Sequence, residues 1–337
     1  MNKKVHFEEN NKETKKNYVE KYKLVENLQK YGTLSAMVIL ALVFSILSPK
    51  FLGINNLLTI LMQFSLLAIL AVGILFPMIT GVFDLSGTEM IFFISAMTCI
   101  AINSDIVTNF FTLLIFMALI GTFVGFIKAL AVAYLRLPSL LVTLAIGQAL
   151  MGIGRWSTNN RPIYVSGKIN LISAVSESNI LGIPVPFIIL LAISLILYFL
   201  LYKTRFGNRL YMLGNTELAA EEASLNVKYY QVIAYIISGL MGALSSLILI
   251  SRIQGSNPDV GQDFTIITIA SVFIGMTMFK RGEPNLLGTI FAVLLLAMMS
   301  NGFVLIGLSV YVQNTLIGLL ILLTVSTSVY LRKLKFR

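Results

Sequence analysis

Apolar segments separated by short polar stretches follow one another along most of the chain. Ten of them run for 17 to 25 residues each. A helix that crosses a bilayer needs about 20 apolar residues. The pattern therefore predicts an all-α membrane protein with about ten transmembrane helices, at 31–48, 57–80, 86–103, 110–134, 138–155, 184–202, 229–251, 263–279, 284–303 and 309–331. The segment at 263–279 is the shortest and contains several threonines, which leaves open whether it is a full or a half-helix.

Basic residues are distributed unevenly between the two sets of loops that ten alternating spans create. With the Lys-rich N-terminal tail (1–30) taken as cytosolic, 20 Lys and Arg residues fall on its side of the membrane and five on the other. Cytosolic segments of membrane proteins carry such an excess. The bias predicts a multi-pass membrane protein with both termini cytosolic. The transmembrane domain then covers 31–331, its largest cytosolic loop is 203–228, and a basic tail follows at 332–337.

The composition excludes several classes of protein. Hydrophobic residues make up 57% of the chain and charged residues 12%, with a mean hydropathy of +0.87, whereas soluble domains contain about 25% charged residues. The net charge of +10 lies in short tracts between apolar segments, which indicates membrane topology and no nucleic-acid partner.

Motifs for enzymatic chemistry are missing from the sequence. His6 is the only histidine, and no metal-ligand spacing or nucleophile–base pair occurs, so we expect no catalytic residues and no metal site. The sequence also lacks a phosphate-binding GxxxxGK[ST] loop. We therefore expect no cofactor on this chain, and any ATP on another subunit.

The loop after the sixth span contains strong helix formers between Gly214 and Ser224. Asn215 or Thr216 can cap the N-terminus of this stretch, with Glu217 in the first turn. We expect a short helix here. It is either a surface element that covers the ends of the membrane helices or a rigid peg inserted into a groove of a motor protein, and the local sequence favours neither.

A polar interruption separates the second and third spans. Asp84 and Glu89 are the only carboxylates in this region. Carboxylates in or beside hydrocarbon usually face a cavity, a partner or an interface. Ser86 and Glu89 also have the Ser-x-x-Glu spacing of a capping box, which predicts that they cap the third helix. A structural role and a direct role in gating or solute passage both stay open.

Amide side chains occur in the last two spans, at Asn301, Gln313 and Asn314. They can bind a hydroxylated solute or join neighbouring helices, and for each one singly we favour helix packing. Gly121 and Gly125 have the GxxxG spacing that predicts a close approach between two helices.

Motif segments occur in a fixed order along the chain. Gly-Val-Phe-Asp-Leu-Ser at 81–86 is similar to Gly-Gly-Ile-Asp-Leu-Ser, and Leu-Pro-Ser-Leu-Leu-Val-Thr-Leu at 137–144 is similar to Pro-x-x-Val-Thr-Leu. Further segments lie at 204–208, 214–217, 226–228, 235–240, 251–252, 258, 275, 287–289 and 301–309. Together they resemble the permease subunits of ABC importers for ribose, xylose, galactose and related sugars, over residues 35–330. The collinear order makes this signal specific, although each segment alone is weak.

This resemblance implies a type II-like ABC importer permease that moves a small polar solute, a monosaccharide, across the bacterial cytoplasmic (inner) membrane. A second permease copy or a paralogous permease would complete the path within the lipid bilayer. A separate ABC ATPase subunit, with ATP and Mg²⁺, would bind a coupling helix, and an extracytoplasmic solute-binding protein would dock outside. Candidate coupling residues are Gly214, Asn215, Glu217, Leu218, Ala219, Ala220, Glu221, Ser224 and Asn226; candidates for gating or the translocation path are Asp84, Ser86, Glu89, Asn301, Gln313 and Asn314.

The chain departs from the family pattern at several positions, as a divergent member would. Ser224 occupies a position where the family has glycine, and Val82 replaces a glycine of the Asp-Leu-Ser segment. Thr265 and Ile267 stand where acidic residues are common. These changes suggest one half of a heterodimeric permease.

A secondary transporter driven by an ion gradient is the alternative function. Such proteins couple Na⁺ or H⁺ through carboxylates or broken helices near the bilayer midplane. Asp84 and Glu89 are the candidates for that role. The match in the loop at 203–228 favours the ABC importer.

Overall fold

The computed structural model describes residues 34–166, 170–261, 264–279 and 282–335, so the predicted tail at 1–30 lies outside the described residues. Each of the ten predicted segments contains an apolar helix. The helices are α1 (Leu34–Leu47), α2 (Ile54–Ile79), α3 (Gly87–Asn103), α4 (Phe110–Ala129, continued by a π-helical turn at Leu130–Tyr134), α5 (Ser139–Ser157), α6 (Asn170–Glu177), α7 (Val185–Lys203), α8 (Arg205–Asn215), α9 (Glu217–Glu222), α10 (Val227–Ile253), α11 (Phe264–Gly275), α12 (Leu286–Leu305) and α13 (Val310–Lys335). The strands are β1 (Ile163–Tyr164), β2 (Asn179–Ile180), β3 (Ile183–Pro184) and β4 (Gly255–Ser256).

The membrane helices fall into two length classes. Within the described residues, six are long and apolar enough to cross a bilayer: α2, α4 with its π-helical turn, α5, α7, α10 and α12. Four are shorter apolar helices: α1, α3, α11 and the Val310–Leu320 part of α13. The 12 residues of α11 span about 18 Å, well under the hydrocarbon thickness of about 30 Å. The helix at the predicted eighth span is therefore too short to cross alone.

Two helices, α2 and α10, form the centre of the bundle. About two thirds of the apolar window of α2 and 72% of that of α10 are buried, against 22% for the peripheral α7. Side chains of α2, α3 and α10 supply most of the main hydrophobic core. Since α7 exposes most of its apolar surface, it faces lipid or another subunit.

Glycines bring the backbones of α4 and α10 into contact. A Cβ added at Gly121 would meet the carbonyl oxygen of Gly239, and one added at Gly125 would meet the carbonyl oxygen of Tyr235. Only glycine leaves room for backbones at this separation. The close approach predicted from the Gly121 and Gly125 spacing is confirmed.

Three connecting segments meet at one end of the bundle. Strand β1, after α5, pairs in antiparallel fashion with β4, after α10. Asn103, at the end of α3, donates from its side chain to the Tyr164 carbonyl (2.9 Å) and accepts from the Ser166 backbone N–H (3.1 Å). The ends of α3, α5 and α10 therefore lie on one side of the bundle.

The start of α2 is joined to α12 by a pair of amides. Asn56 and Asn301 exchange two side-chain hydrogen bonds, of 2.9 and 3.0 Å. Phe44 of α1 packs edge-to-face on Phe303 beside them. The candidate path residue Asn301 thus links two helices.

Replacing Asn301 with leucine is expected to lower stability modestly. The change leaves the Asn56 amide without its partner, and hydrogen bonds between membrane helices contribute about 0.6 kcal/mol on average. We expect the midpoint of thermal unfolding in detergent to fall by about 2 °C. The Asn56→Leu/Asn301→Leu double variant is the control, since it removes both amides and should recover most of the loss. A single variant as stable as the wild type would contradict this role.

The segment between α5 and α7 contains a short helix and a hairpin. It forms α6, and then β2 and β3 pair as a hairpin. Leu181 (φ +54°) and Gly182 (φ +79°) make the two-residue turn. Left-handed residues at both positions match the twist of the flanking strands.

Candidate functional site

Asp84 lies in the non-helical segment between α2 and α3 and is fully buried. Its Oδ2 accepts a hydrogen bond from Lys128 Nζ of α4 (2.5 Å) and one from Ser238 Oγ of α10 (2.7 Å). Its Oδ1 accepts from the backbone N–H (3.1 Å) and Oγ (2.7 Å) of Ser86. Lys128, also fully buried, donates in addition to Ser86 Oγ (3.1 Å) and approaches Met90 Sδ (3.6 Å). The carboxylate and the ammonium are both compensated by the protein, as a buried ion pair requires.

Side chains of α5 and α10 form hydrogen bonds with the backbone around Asp84. Ser139 and Thr143 of α5 accept hydrogen bonds on their hydroxyl oxygens from the N–H groups of Phe83 and Leu85 (3.1 Å each). Tyr235 of α10 donates its hydroxyl to the Phe83 carbonyl (2.8 Å). A non-helical backbone segment inside a membrane bundle needs such partners, since no helix satisfies its polar groups. We call this arrangement, residues 80–86 with Lys128, Ser139, Thr143, Tyr235 and Ser238, the ion-pair site.

Three of the motif segments in the sequence meet at the ion-pair site. The segment at 81–86 contacts 137–144 through Ser139 and Thr143, and 235–240 through Tyr235 and Ser238. These segments are separated by 50 to 150 residues in the chain. The motifs therefore form one three-dimensional unit.

Lys128 belongs to the ion-pair site but is not among the site residues predicted from the sequence. It was counted with the basic residues of the inner loops, but the structure buries it in the ion pair. Without Lys128, 19 Lys and Arg residues lie on the predicted cytosolic side and five on the other, so the predicted topology is unchanged. The position of Lys128 inside an apolar segment of the sequence indicates a buried partner, because an intramembrane charge needs one.

The predicted capping box at Ser86 and Glu89 is wrong. Ser86 occupies the N-cap position of α3, but its side chain makes no capping hydrogen bond. Its hydroxyl is used by Asp84 and Lys128 instead. One oxygen of Glu89, Oε2, is buried without a hydrogen-bond partner among the described residues and lies near Gly147 of α5.

The other candidate path residues do not gather around Asp84. Asn301 binds Asn56 on α2. Gln313, on α13, donates its side-chain amide to the Leu308 carbonyl (2.8 Å), and Asn314 follows it on the same helix. The structure thus separates these amides from the ion-pair site.

The loop at 203–228 forms two helices where the sequence predicted one. Thr204 caps α8 by accepting from the Gly207 N–H (3.4 Å), and α9 begins after Thr216 as expected. Ala220 of α9 is buried, whereas Leu218, Glu221 and Ser224 are exposed. Asn226 accepts from the Tyr229 N–H (3.1 Å), so its side chain caps α10.

Gly214, near the end of α8, lies directly against the ion-pair site. A Cβ at this position would meet the Ile79 carbonyl at the end of α2, and Gly81 packs on the Gly214 backbone. No side chain separates the two segments. A displacement of α8 and α9 would therefore act on residues 80–86 through backbone contact.

Ser224 ends α9 in a left-handed conformation with φ +58°. The Ser224 N–H donates to the Glu221 carbonyl (2.9 Å) and the Leu225 N–H to the Ala220 carbonyl (3.0 Å). These two bonds define a Schellman motif, in which glycine is the preferred left-handed residue. The geometry accounts for the glycine that the family pattern has at this position.

Replacing Ser224 with glycine is expected to stabilise the loop at the end of α9. The left-handed conformation costs a non-glycine residue about 1 kcal/mol, and glycine's extra freedom in the unfolded chain offsets part of the gain. We expect slower hydrogen exchange at the Leu225 amide, by about threefold. The control is Ser224→Ala, which keeps the strain and should not slow exchange. Equal exchange in the glycine variant and the wild type would contradict the argument.

Comparison with known proteins identifies the family. A family model described as "branched-chain amino acid transport system / permease component" matches residues 56–325 of the 337. The chain belongs to this permease family. The matched region of the permease contains both the ion-pair site and the loop at 203–228.

Relatives of the permease carry sugar transport names. The ribose import permease of Haemophilus influenzae is 29% identical over 318 residues, covering 94% of this chain and 98% of the relative. That of Bacillus subtilis strain 168 is 32% identical over 298 residues, with 88% and 92% covered. The D-allose transport system permease of Escherichia coli K12 is 28% identical over 298 residues, with 88% and 90% covered. No solved structure matches the permease.

These relatives are transport permeases and not enzymes. The permease is accordingly a multi-pass membrane protein and a transport subunit of the ABC importer type. An ATPase and a solute-binding protein are the general partners of such importers. The relatives do not favour an ion-gradient-driven transporter.

Proposed function

We propose that the permease is the membrane-spanning half of an ATP-driven importer for a monosaccharide. The observation that carries this proposal is end-to-end similarity to permeases named for ribose and D-allose, together with the L-arabinose permease of E. coli K12. The family description names branched-chain amino acids, but these relatives are named for sugars. The solute is thus a neutral, hydroxylated molecule.

Ten spans with cytosolic termini are the topology that we propose for the domain at 31–331. Loops that alternation assigns to the outside contact one another: β1 pairs with β4, and Asn103 binds the β1 segment. Loops assigned to the inside also meet, since Gly214 packs on Ile79. In this topology the short helices do not cross the bilayer alone. Irregular backbone that is surrounded by protein completes each crossing, as in the segment that contains Asp84. The tails at 1–30 and 332–337 would lie in the cytosol.

We propose α9 as the coupling helix that binds a separate ATPase, which holds ATP and Mg²⁺. The exposed Leu218 offers an apolar contact, and Glu221 is exposed on the same helix. The backbone contact at Gly214 provides the route from this helix to the ion-pair site. The candidate coupling residues therefore act as one element.

The ion-pair site is proposed as the fixed point of the gate. It ties the segment between α2 and α3 to α4, α5 and α10. We propose that Asp84 and Ser86 act there by holding helices, and that Glu89 faces the path with its unpaired oxygen. A second permease copy or a paralogous permease would form the opposite wall of the path.

The test is co-purification followed by transport. The tagged permease is pulled down from native membranes in mild detergent, and its partners are identified by mass spectrometry. The complex is then reconstituted in proteoliposomes with the solute-binding protein, and uptake of ribose, D-allose and L-arabinose is compared with uptake of leucine. ATP-dependent sugar uptake supports the proposal. Uptake without an ATPase that an ionophore abolishes would establish the secondary transporter instead, and leucine uptake would overturn the sugar assignment.

A further inference from the structure

A cleft of about 640 Å³ lies between α9, the start of α10, the end of α4 and the start of α5. Its volume is in the range of pockets that hold small ligands. Apolar side chains, among them Val132, Leu137 and Leu225, line one part of it. Arg136 and Lys228 contribute two positive charges and Glu221 one negative charge. The cleft therefore combines apolar walls with a net positive charge.

The two basic side chains of the cleft have no carboxylate partner among the described residues. Arg136 makes no ion pair there, and Lys228 lies over the ring of Tyr134 with its Nζ 5.2 Å from the ring centre. The N-terminus of α10 adds a partial positive charge to the same wall. Glu221 offsets only part of this charge. An anion would find complementary groups in the cleft.

The surroundings of the cleft are those of a membrane interface. Arg136 is flanked by Leu135 and Leu137, which are 68% and 46% exposed. Tyr134 and Tyr229 are exposed beside them. Exposed leucines with neighbouring tyrosines and basic residues occur where hydrocarbon meets headgroups. One side of the cleft thus opens towards lipid chains.

We infer that the cleft binds an anionic phospholipid, with its phosphate between Arg136 and Lys228 and an acyl chain along the apolar wall. The inference rests on the proposed topology, which assigns this end of the bundle to the cytosolic leaflet. That leaflet carries anionic lipids, and basic pockets between membrane helices bind their headgroups. The lipid would lie against α9 and near Val82 at the ion-pair site. Its occupancy would therefore couple the composition of the membrane to the position of α9.

Native mass spectrometry of the assembled transporter tests the inference. Retention of phosphatidylglycerol is compared with retention of phosphatidylcholine for the wild type and for the Arg136→Gln/Lys228→Gln variant. We expect the variant to lose preferential retention by about tenfold. The matched control is Lys203→Gln/Arg205→Gln, which removes two exposed charges from the same predicted side but outside the cleft. This control should retain phosphatidylglycerol as the wild type does.

Four outcomes would overturn the inference. They are equal retention of the two lipids by the wild type, equal losses in the two double variants, competition by glycerol phosphate at the lipid's own concentration, and retention of the lipid only after the ATPase has been dissociated from the permease. The third would indicate a site for a free anion, and the fourth would assign the cleft to the ATPase. Because the measurement does not use transport, failure here leaves the importer function standing.

Discussion

The permease with Lys128 replaced by methionine is expected to be strongly destabilised. The change leaves the Asp84 carboxylate buried with Ser86 and Ser238 but without a counter-ion. Removing one partner of a buried ion pair costs about 3–5 kcal/mol. We expect the yield of folded protein to fall sharply and the midpoint of thermal unfolding to drop by about 10 °C. Fluorescence-detected size exclusion after heating measures both.

Two further variants separate folding from gating at the ion-pair site. Lys203→Met, on an exposed lysine, is the matched control and should unfold as the wild type does. The Asp84→Asn/Lys128→Met double variant removes both charges and should recover most of the stability, since an uncharged pair has no unpaired buried charge. If this double variant folds but transports poorly, the ion pair takes part in gating. Full transport would restrict it to a structural role, and a stable Lys128→Met single variant would contradict the burial argument itself.

Proline at Ala220 is expected to uncouple ATP hydrolysis from transport. Ala220 is buried in α9, and its N–H donates to the Thr216 carbonyl (3.1 Å). Proline removes this bond and clashes with the carbonyl, at a cost of about 3 kcal/mol. With α9 disrupted, ATP-dependent uptake should fall about tenfold, equivalent to about 1.4 kcal/mol of coupling free energy. ATP hydrolysis should continue but lose its dependence on the solute-binding protein.

The control for this experiment is Glu222→Ala, which changes an exposed side chain of the same helix and keeps its backbone hydrogen bonds. It should leave coupling largely intact. Uptake and total ATP hydrolysis are measured on the same proteoliposomes, so that loss of assembly is recognised by loss of both, whereas uncoupling lowers uptake alone. Unchanged coupling in the proline variant would remove α9 from the proposed role.

Helix positions followed from the sequence because long apolar segments have few alternatives in a membrane. The start of α9 after Thr216 was also predictable, since the capping residue and the helix formers are local. The hairpin formed by β2 and β3 was missed because its strands are two residues each. Strands of that length carry no alternating pattern.

The chemistry of the ion-pair site was only half predictable. Asp84 stands out in the sequence, but its partner Lys128 is 44 residues away, and no local pattern reports a contact at that range. The capping box failed for a related reason. The Ser86 hydroxyl donates to the carboxylate of Asp84, two residues earlier, and is therefore not used to cap α3. A buried carboxylate must be compensated by hydrogen bonds, and this requirement outweighs the local capping motif.

The contact between Gly214 and the end of α2 can act as a pivot about which α2 tilts. The 26 residues of α2 make a rod of about 39 Å, held at one end by the Gly214 contact and at the other by the Asn56 amide. A tilt of about 5° about the Gly214 end would carry the Asn56 end through about 3 Å, close to the length of one hydrogen bond. A small push on one face of the membrane is thus enough to exchange hydrogen-bond partners on the other.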